Sequence, residues 1–226
     1  FFNCPLTTIN LPGTVEKVGN YAFKGTSLSG ALYLPNSLKT IGVGAFDGLK
    51  LTGTLTIPDS VTTISNEAFY NNKFTKLVIA LPKSLTTIGY NAFRANSISK
   101  LALNYGLRSI GYEAFESNKI TGTINIPVTV EKIDAQAFKA NQIEAVIFNK
   151  NSALTTLGSY AFSNNKISNA IMMPKGLTKI SSYVFSNNTI SSLSFEEGSV
   201  ATVIERNAFS GQAKSIKGTL EIPASV

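Results

Sequence analysis

The chain has 226 residues, 43% of them hydrophobic, with a formal net charge of +7, no histidine and a single cysteine. That apolar content suffices for a continuous core, and the missing histidine removes the commonest general base and metal ligand at neutral pH. Lysines are scattered and never form a run, which argues against nucleic-acid binding, and no stretch of about 18 apolar residues offers a membrane span.

From the N-terminus onward the sequence repeats itself. An Ala-Phe pair recurs at Phe23, Phe46, Phe69, Phe93, Phe115, Phe138, Phe162 and Phe209, with Val184-Phe185 standing in once. The steps are 23, 23, 24, 22, 23, 24, 23 and 24 residues. A period in the range of about 20–50 residues marks a solenoid, in which each unit buries its apolar face only against its neighbours. Phe1 stands 22 residues before Phe23, and Val226 falls partway through a further repeat. The expectation is one solenoid over 1–226, cut mid-repeat at both ends, a fragment of a longer chain whose signals and anchor lie outside it.

Within each unit the elements follow one order. First comes an alternating L-x-L pair, the period of a half-buried strand: Ile9/Leu11, Leu32/Leu34, Leu55/Ile57, Leu77/Ile79 (with Leu81), Leu101/Leu103, Ile124/Ile126, Val146/Phe148, Ile171/Met173, Leu193/Phe195 and Leu220/Ile222. These predict about ten short strands. Proline then ends the strand, because it has no backbone donor; Pro12, Pro35, Pro58, Pro82, Pro127, Pro174 and Pro223 share this slot. Two inward apolar positions follow on the return leg, such as Val61/Ile64 and Val130/Ile133. Gly19, Gly42, Gly89, Gly111 and Gly158 come next, but Asp134 and Glu205 replace them elsewhere, so a left-handed backbone is not demanded there.

The Ala-Phe pair fills the far side of the core, alanine letting coils approach and phenylalanine supplying apolar area. Three residues past it runs an asparagine ladder of Asn72, Asn96, Asn118, Asn141, Asn165 and Asn188, with Cys4 in the same slot and Thr26, Leu49 and Gln212 departing from it. A buried carboxamide satisfies backbone groups of its own coil and the next.

The pattern L-x-x-L-x-L-P-x-x-L-x-x-I-g-x-x-A-F-x-x-N/C resembles the BspA-type, or Treponema pallidum class, leucine-rich repeat. Ile120 to Pro127, continuing through Val130, Ile133, Ala137, Phe138 and Asn141, carries it closely. The resemblance implies a repeat solenoid: a right-handed superhelix with a parallel sheet on its concave side and little helix. It also implies a secreted or cell-surface protein, of bacteria or of parasitic protists, used in adhesion to host proteins or other cells; the expectation here is a bacterial one whose partner is a host matrix or cell-surface protein, or a glycan. A fold alone names no ligand.

Little in the chain suggests catalysis or a cofactor. Cys4 has no histidine to activate it. Glu196-Glu197 is the one adjacent carboxylate pair, expected as a solvated turn. The expected function is a non-enzymatic binding module, with a passive spacer or targeting arm of a larger protein as the alternative. Lys50, Lys73, Lys119 and Lys166 share one edge, either for solubility and edge protection or to attract an anionic glycan, wall polymer or acidic protein. Tyr21, Tyr90, Tyr112, Tyr160 and Tyr183 are expected on the opposite surface, covering the core or holding sugar rings.

Residues between the inward pairs point outward. From these columns Tyr33, Lys100, Asn125, Ala145, Ile147, Ala170 and Met172 are the candidate partner-binding residues of the concave face. Ala145, Ile147, Ala170 and Met172 form an apolar group across two strands, either a protein-contact site or a surface covered by a neighbouring segment.

Overall fold

The computed structural model describes residues 1–78, 84–212 and 226. Its spine is the phenylalanine column. From Phe1 through Phe23, Phe46, Phe69, Phe93, Phe115, Phe138, Phe162 and Phe185 to Phe209, successive rings lie 5.1–5.9 Å apart and within 15° of parallel. Offset stacking of this kind adds to the area each ring buries. Phe46 through Phe185 are fully buried along the column, together with the alanines that precede Phe46 to Phe162. The backbone is stitched at the same place: Phe46 N–H donates to Ala68 C=O at 2.9 Å, and Phe115 N–H to Ala137 C=O at 2.8 Å.

The residues two before and two after each phenylalanine adopt left-handed backbone. Around Phe138 these are Gln136 (φ 59) and Ala140 (φ 56); around Phe162 they are Tyr160 (φ 60) and Asn164 (φ 55). Non-glycine residues resist this conformation. Here the coil-to-coil hydrogen bonds on either side of the ring hold it in every repeat. The glycine slot on the return leg has a different cause, close approach. A Cβ on Gly42, Gly89 or Gly111 would stand 2.6–2.7 Å from backbone atoms of the preceding coil.

The asparagine ladder works as a two-sided clamp. Asn118 Oδ1 accepts from Ile98 N–H at 3.1 Å, and Nδ2 donates to Phe93 C=O at 2.9 Å and to Phe115 C=O at 3.2 Å. Asn72, Asn96, Asn141, Asn165 and Asn188 repeat the pattern. Gln212 reproduces it with one more methylene, bonding Ile190 N–H and Phe185 C=O. Its departure from asparagine is therefore chemical in name only. Leu49 instead buries its side chain.

All strand pairing among the described residues is parallel, as the repeat requires. Its distribution differs from the expected single sheet. The L-x-L column forms three separate sheets: Ser29–Gly30, Lys50–Thr56 and Lys73–Val78; Thr121–Ile126 with Gln142–Phe148; and Ile171–Met173 with Leu193–Phe195. Ile9/Leu11, Leu32/Leu34 and Leu101/Leu103 make no ladder there. Ile79, Leu81, Pro82, Leu220, Glu221, Ile222 and Pro223 lie outside the described residues.

The longest sheet runs on the return leg. Lys17–Val18, Thr40–Ile41, Thr63–Ile64, Thr87–Ile88, Ser109–Ile110, Lys132–Ile133 and Thr156–Leu157 pair in unbroken order, with Lys179–Ile180 and Val203–Ile204 pairing beyond. Each strand is only two residues long, too short for alternation to reveal it. No helix occurs among the described residues.

Candidate binding face

Between the first apolar residue of the concave segment and its L-x-L pair, the spacing varies. It is four residues from Leu51 to Leu55, Ile120 to Ile124 and Ile167 to Ile171, but three from Phe74 to Leu77, Ile98 to Leu101 and Ile143 to Val146. Where four-residue coils meet three-residue coils, the register shifts, at Gly53/Thr54 and at Ile143/Ala145. The pairing skips Thr75 and Glu144 there, and the second residue of the four-residue spacing is Gly30, Gly53 or Gly122, each with positive φ. In the Ile167–Ile171 coil it is Asn169.

Asn169 changes the local surface. Its Oδ1 accepts from Val146 N–H at 3.2 Å and its Nδ2 donates to Val146 C=O at 2.9 Å. A side chain thus takes the place of backbone pairing between Gln142–Phe148 and Ile171–Met173. The coils stay joined, and both strands still present their middle residues outward.

Ile147 and Met172 are those residues, 42% and 52% exposed. Ile147 pairs in register with Asn125 and Ala145 with Thr123, while Met172 pairs with Ser194. Ala145 is half-buried and Ala170 exposed. Ala145 and Ile147 thus stand on Gln142–Phe148 and Ala170 and Met172 on the following coil, with Thr123, Asn125, Ser192 and Ser194 on the coils to either side.

The other three expected residues lie toward the N-terminus. Tyr33 is 81% exposed and lines a concave pocket of about 310 Å³ with Ala31, Asn36, Thr54 and Thr56. Asn125 lines a second pocket, of about 350 Å³, with Ala102, Tyr105, Thr123 and Asn149. Lys100 directly precedes Leu101 of the second pocket and is exposed, with no ion pair among the described residues. Tyr105, 77% exposed, was not among the sequence candidates. Its signal is the missing proline after Leu103, where Asn104-Tyr105-Gly106 breaks the repeat pattern.

Opposite this face, several tyrosines and charges bond to neighbouring coils, while Tyr21, Tyr90 and Tyr112 remain exposed. Tyr160 and Tyr183 stack at 4.6 Å and 3°, and Asn207 Nδ2 donates to Tyr183 Oη at 2.6 Å. Gln136 donates to Tyr112 Oη at 2.8 Å, and the hydrogen bond to Glu113 holds the Tyr112 phenol above its ordinary pKa. Arg94 pairs with Glu113 at 3.0 Å and Glu116 at 2.6 Å, and Lys24 pairs with Asp47 at 2.6 Å.

Glu196 corrects the expectation of a solvated turn. It is buried, and its carboxylate accepts from Asn151 N–H at 3.0 Å and Lys175 N–H at 3.3 Å, tying two preceding coils together. The Asn151 bond, above all, pulls its pKa below the ordinary value. No group of three metal-ligating side chains occurs among the described residues, and no described helix is long and apolar enough to cross a membrane.

A parallel solenoid with stacked phenylalanines, an asparagine ladder and an L-x-L face is a leucine-rich-repeat protein, a fold suited to protein binding. This chain belongs to the BspA-type leucine-rich repeat family, whose model matches residues 1–121 and 86–217 in six copies. In fold it is similar to a leucine-rich repeat protein from Bacteroides ovatus, at 20% identity and a TM-score of 0.42, over 93% of this chain and 72% of that one. It is also similar to YopM from Yersinia enterocolitica, at 18% identity and a TM-score of 0.51. That match covers 89% of this chain and 43% of YopM, so the chain spans less than half of it. No curated protein matches the chain.

Proposed function

We propose that the chain is a non-enzymatic recognition module of a bacterial cell-surface or secreted protein, binding a host matrix or cell-surface protein through its concave face. The observation that carries this reading is the exposed pair Ile147 and Met172 in columns otherwise dominated by Thr, Ser, Lys and Asn. Solubility alone selects against them. Apolar side chains at the centre of an interface supply most of its affinity, while a polar rim excludes water. Ala145 and Ala170 beside them keep the surface low, so a partner side chain can reach both anchors.

The test is a binding assay of the purified module against a panel of immobilised host matrix proteins, comparing wild type with Ile147→Lys/Met172→Lys. Neither side chain enters the core, so circular dichroism should show the variant folded. Binding should fall by about a hundredfold or more, the loss of roughly two hot-spot contacts. Undiminished binding by a folded double variant would reject this face as the protein site.

A further inference from the structure

Among the described residues, the charges are distributed unevenly between the two faces. Asp47, Glu113 and Glu116 are paired with Lys24, Arg94 and Lys139 on the phenylalanine side, and Glu16, Glu131, Asp134 and Glu205 are paired on the return leg. On the outward columns of the concave L-x-L segments, the described residues include two charges and no acid: Lys76 and Lys100. Lys76 is in register with Thr54, and Ser99 N–H donates to Thr75 C=O at 3.0 Å, so Lys100 follows Lys76 on the next coil. Neither ammonium has a salt bridge or hydrogen bond to another described residue.

Lys76 stands on a coil between two pockets of like construction, and Lys100 on the first coil of the second pocket. Each pocket sits at the same place in the repeat, across one L-x-L segment that makes no ladder and the strand of the following coil. Each carries one largely exposed tyrosine, Tyr33 or Tyr105, beside threonine hydroxyls and asparagine amides. They lie three coils apart along the phenylalanine column, about 14 Å at one strand spacing per coil.

We propose that this half of the concave face is a second binding site, a track for an acidic polysaccharide, with Tyr33 and Tyr105 as sugar-ring platforms and Lys76 and Lys100 as the anion contacts. A pyranose has an apolar C–H face that stacks on an exposed ring and a rim of hydroxyls that pairs with Thr54, Thr56, Thr123 and Asn125. Its carboxylate or sulfate supplies the partner that both lysines lack. The walls mix apolar side chains with hydroxyls and amides, a lining that suits the mixed faces of a sugar. A single-stranded nucleic acid wants cations following its backbone through the groove, and two lysines over three coils do not supply them. The site adjoins the Ile147–Met172 group and shares Thr123 and Asn125 with its rim, but its tyrosines and lysines lie outside that group, so different variants test the two readings.

The experiment measures binding of the whole chain by calorimetry to polygalacturonate and dextran sulfate, with neutral dextran, polyglutamate and oligo-dT as comparison polymers. At least one acidic polysaccharide should bind, weakening as salt rises, and the neutral polymer should bind far less. Lys76→Ala/Lys100→Ala and Tyr33→Ala/Tyr105→Ala should each weaken binding about tenfold or more. Tyr33→Phe/Tyr105→Phe should keep it, because the ring face remains. Ile147→Ser/Met172→Ser should leave it unchanged. These side chains are exposed, and matching thermal melts would verify intact folds. Equal binding of polyglutamate or oligo-dT, indifference to loss of the tyrosine rings, or no binding of either acidic polysaccharide would each overturn the proposal.

Discussion

Asn169 holds Val146 by both of its backbone groups, accepting from the N–H at 3.2 Å and donating to the C=O at 2.9 Å. Val146 is buried, so these groups have little recourse to water. Asn169→Ala should therefore cost about 1–3 kcal/mol, the desolvation of unpaired buried backbone. The same change should loosen the spacing of Ile147 and Met172, so partner binding should fall even where the protein remains folded. Urea melts and the matrix-protein assay measure the two effects separately. A neutral Asn169→Ala melt would mean that the strands are joined without the amide.

The phenylalanine column and asparagine ladder should differ in strength. Phe115 and Phe138 are fully buried between rings at 5.4 Å or less. Replacing either with alanine should cost about 3–5 kcal/mol through lost transfer energy plus the cavity left behind. Asn118→Ala should cost about 1–3 kcal/mol by orphaning Ile98 N–H and Phe93 C=O. Denaturant midpoints showing the asparagine costlier than the phenylalanine would reverse this ordering of core and clamp.

The repeat made the core readable before any coordinates. Each phenylalanine, alanine and ladder asparagine recurs at a fixed offset, and periodic burial leaves a periodic sequence. What periodicity could not reveal was backbone pairing. The return-leg strands are two residues each, and Lys17–Val18 or Thr40–Ile41 carries no alternation to detect. The L-x-L sheet is interrupted without regard to the spacing ahead of each pair, since coils of unequal spacing pair and Leu32/Leu34 does not; at Asn169 an amide does what a ladder would do elsewhere. On the binding face, outward positions followed from strand alternation, which located Tyr33, Asn125, Ile147 and Met172. Tyr105 lies past the L-x-L pair, where alternation has stopped, and apart from the missing proline only its exposure in the fold marks it.

Close coil approach at the glycine slot gives a prediction independent of backbone preference. Gly89 does not lie in the left-handed region, yet a Cβ there would stand 2.6 Å from Asn66 N and Ser65 C. Neither of those backbone atoms can swing aside as a side-chain end could. Gly89→Ala should cost about 1–3 kcal/mol by overpacking. An alanine variant as stable as wild type in thermal melts would mean that the coils can spread there without loss.

Acid should weaken the C-terminal coils through two carboxylates. Glu205 receives Lys179 Nζ at 2.7 Å, Ser182 N–H at 2.8 Å and Ser182 Oγ at 2.9 Å. The lysine bond foremost, then those from Ser182, lowers its pKa from 4.5 to about 2. Glu196 is lowered in the same direction by Asn151 and Lys175 N–H groups. Both groups bind protons more weakly folded than unfolded, so stability rises with pH across this window. Their contribution is complete above the unfolded value of 4.5 and is lost as pH falls through the folded value, for Glu205 about 2. Urea midpoints measured down that range should decline, and Glu205→Gln should lower stability at neutral pH while flattening the decline. Lys179→Met should move the Glu205 titration, followed by carboxyl NMR, toward higher pH. Superimposable pH profiles for wild type and Glu205→Gln would show that this carboxylate does not link the coils to pH.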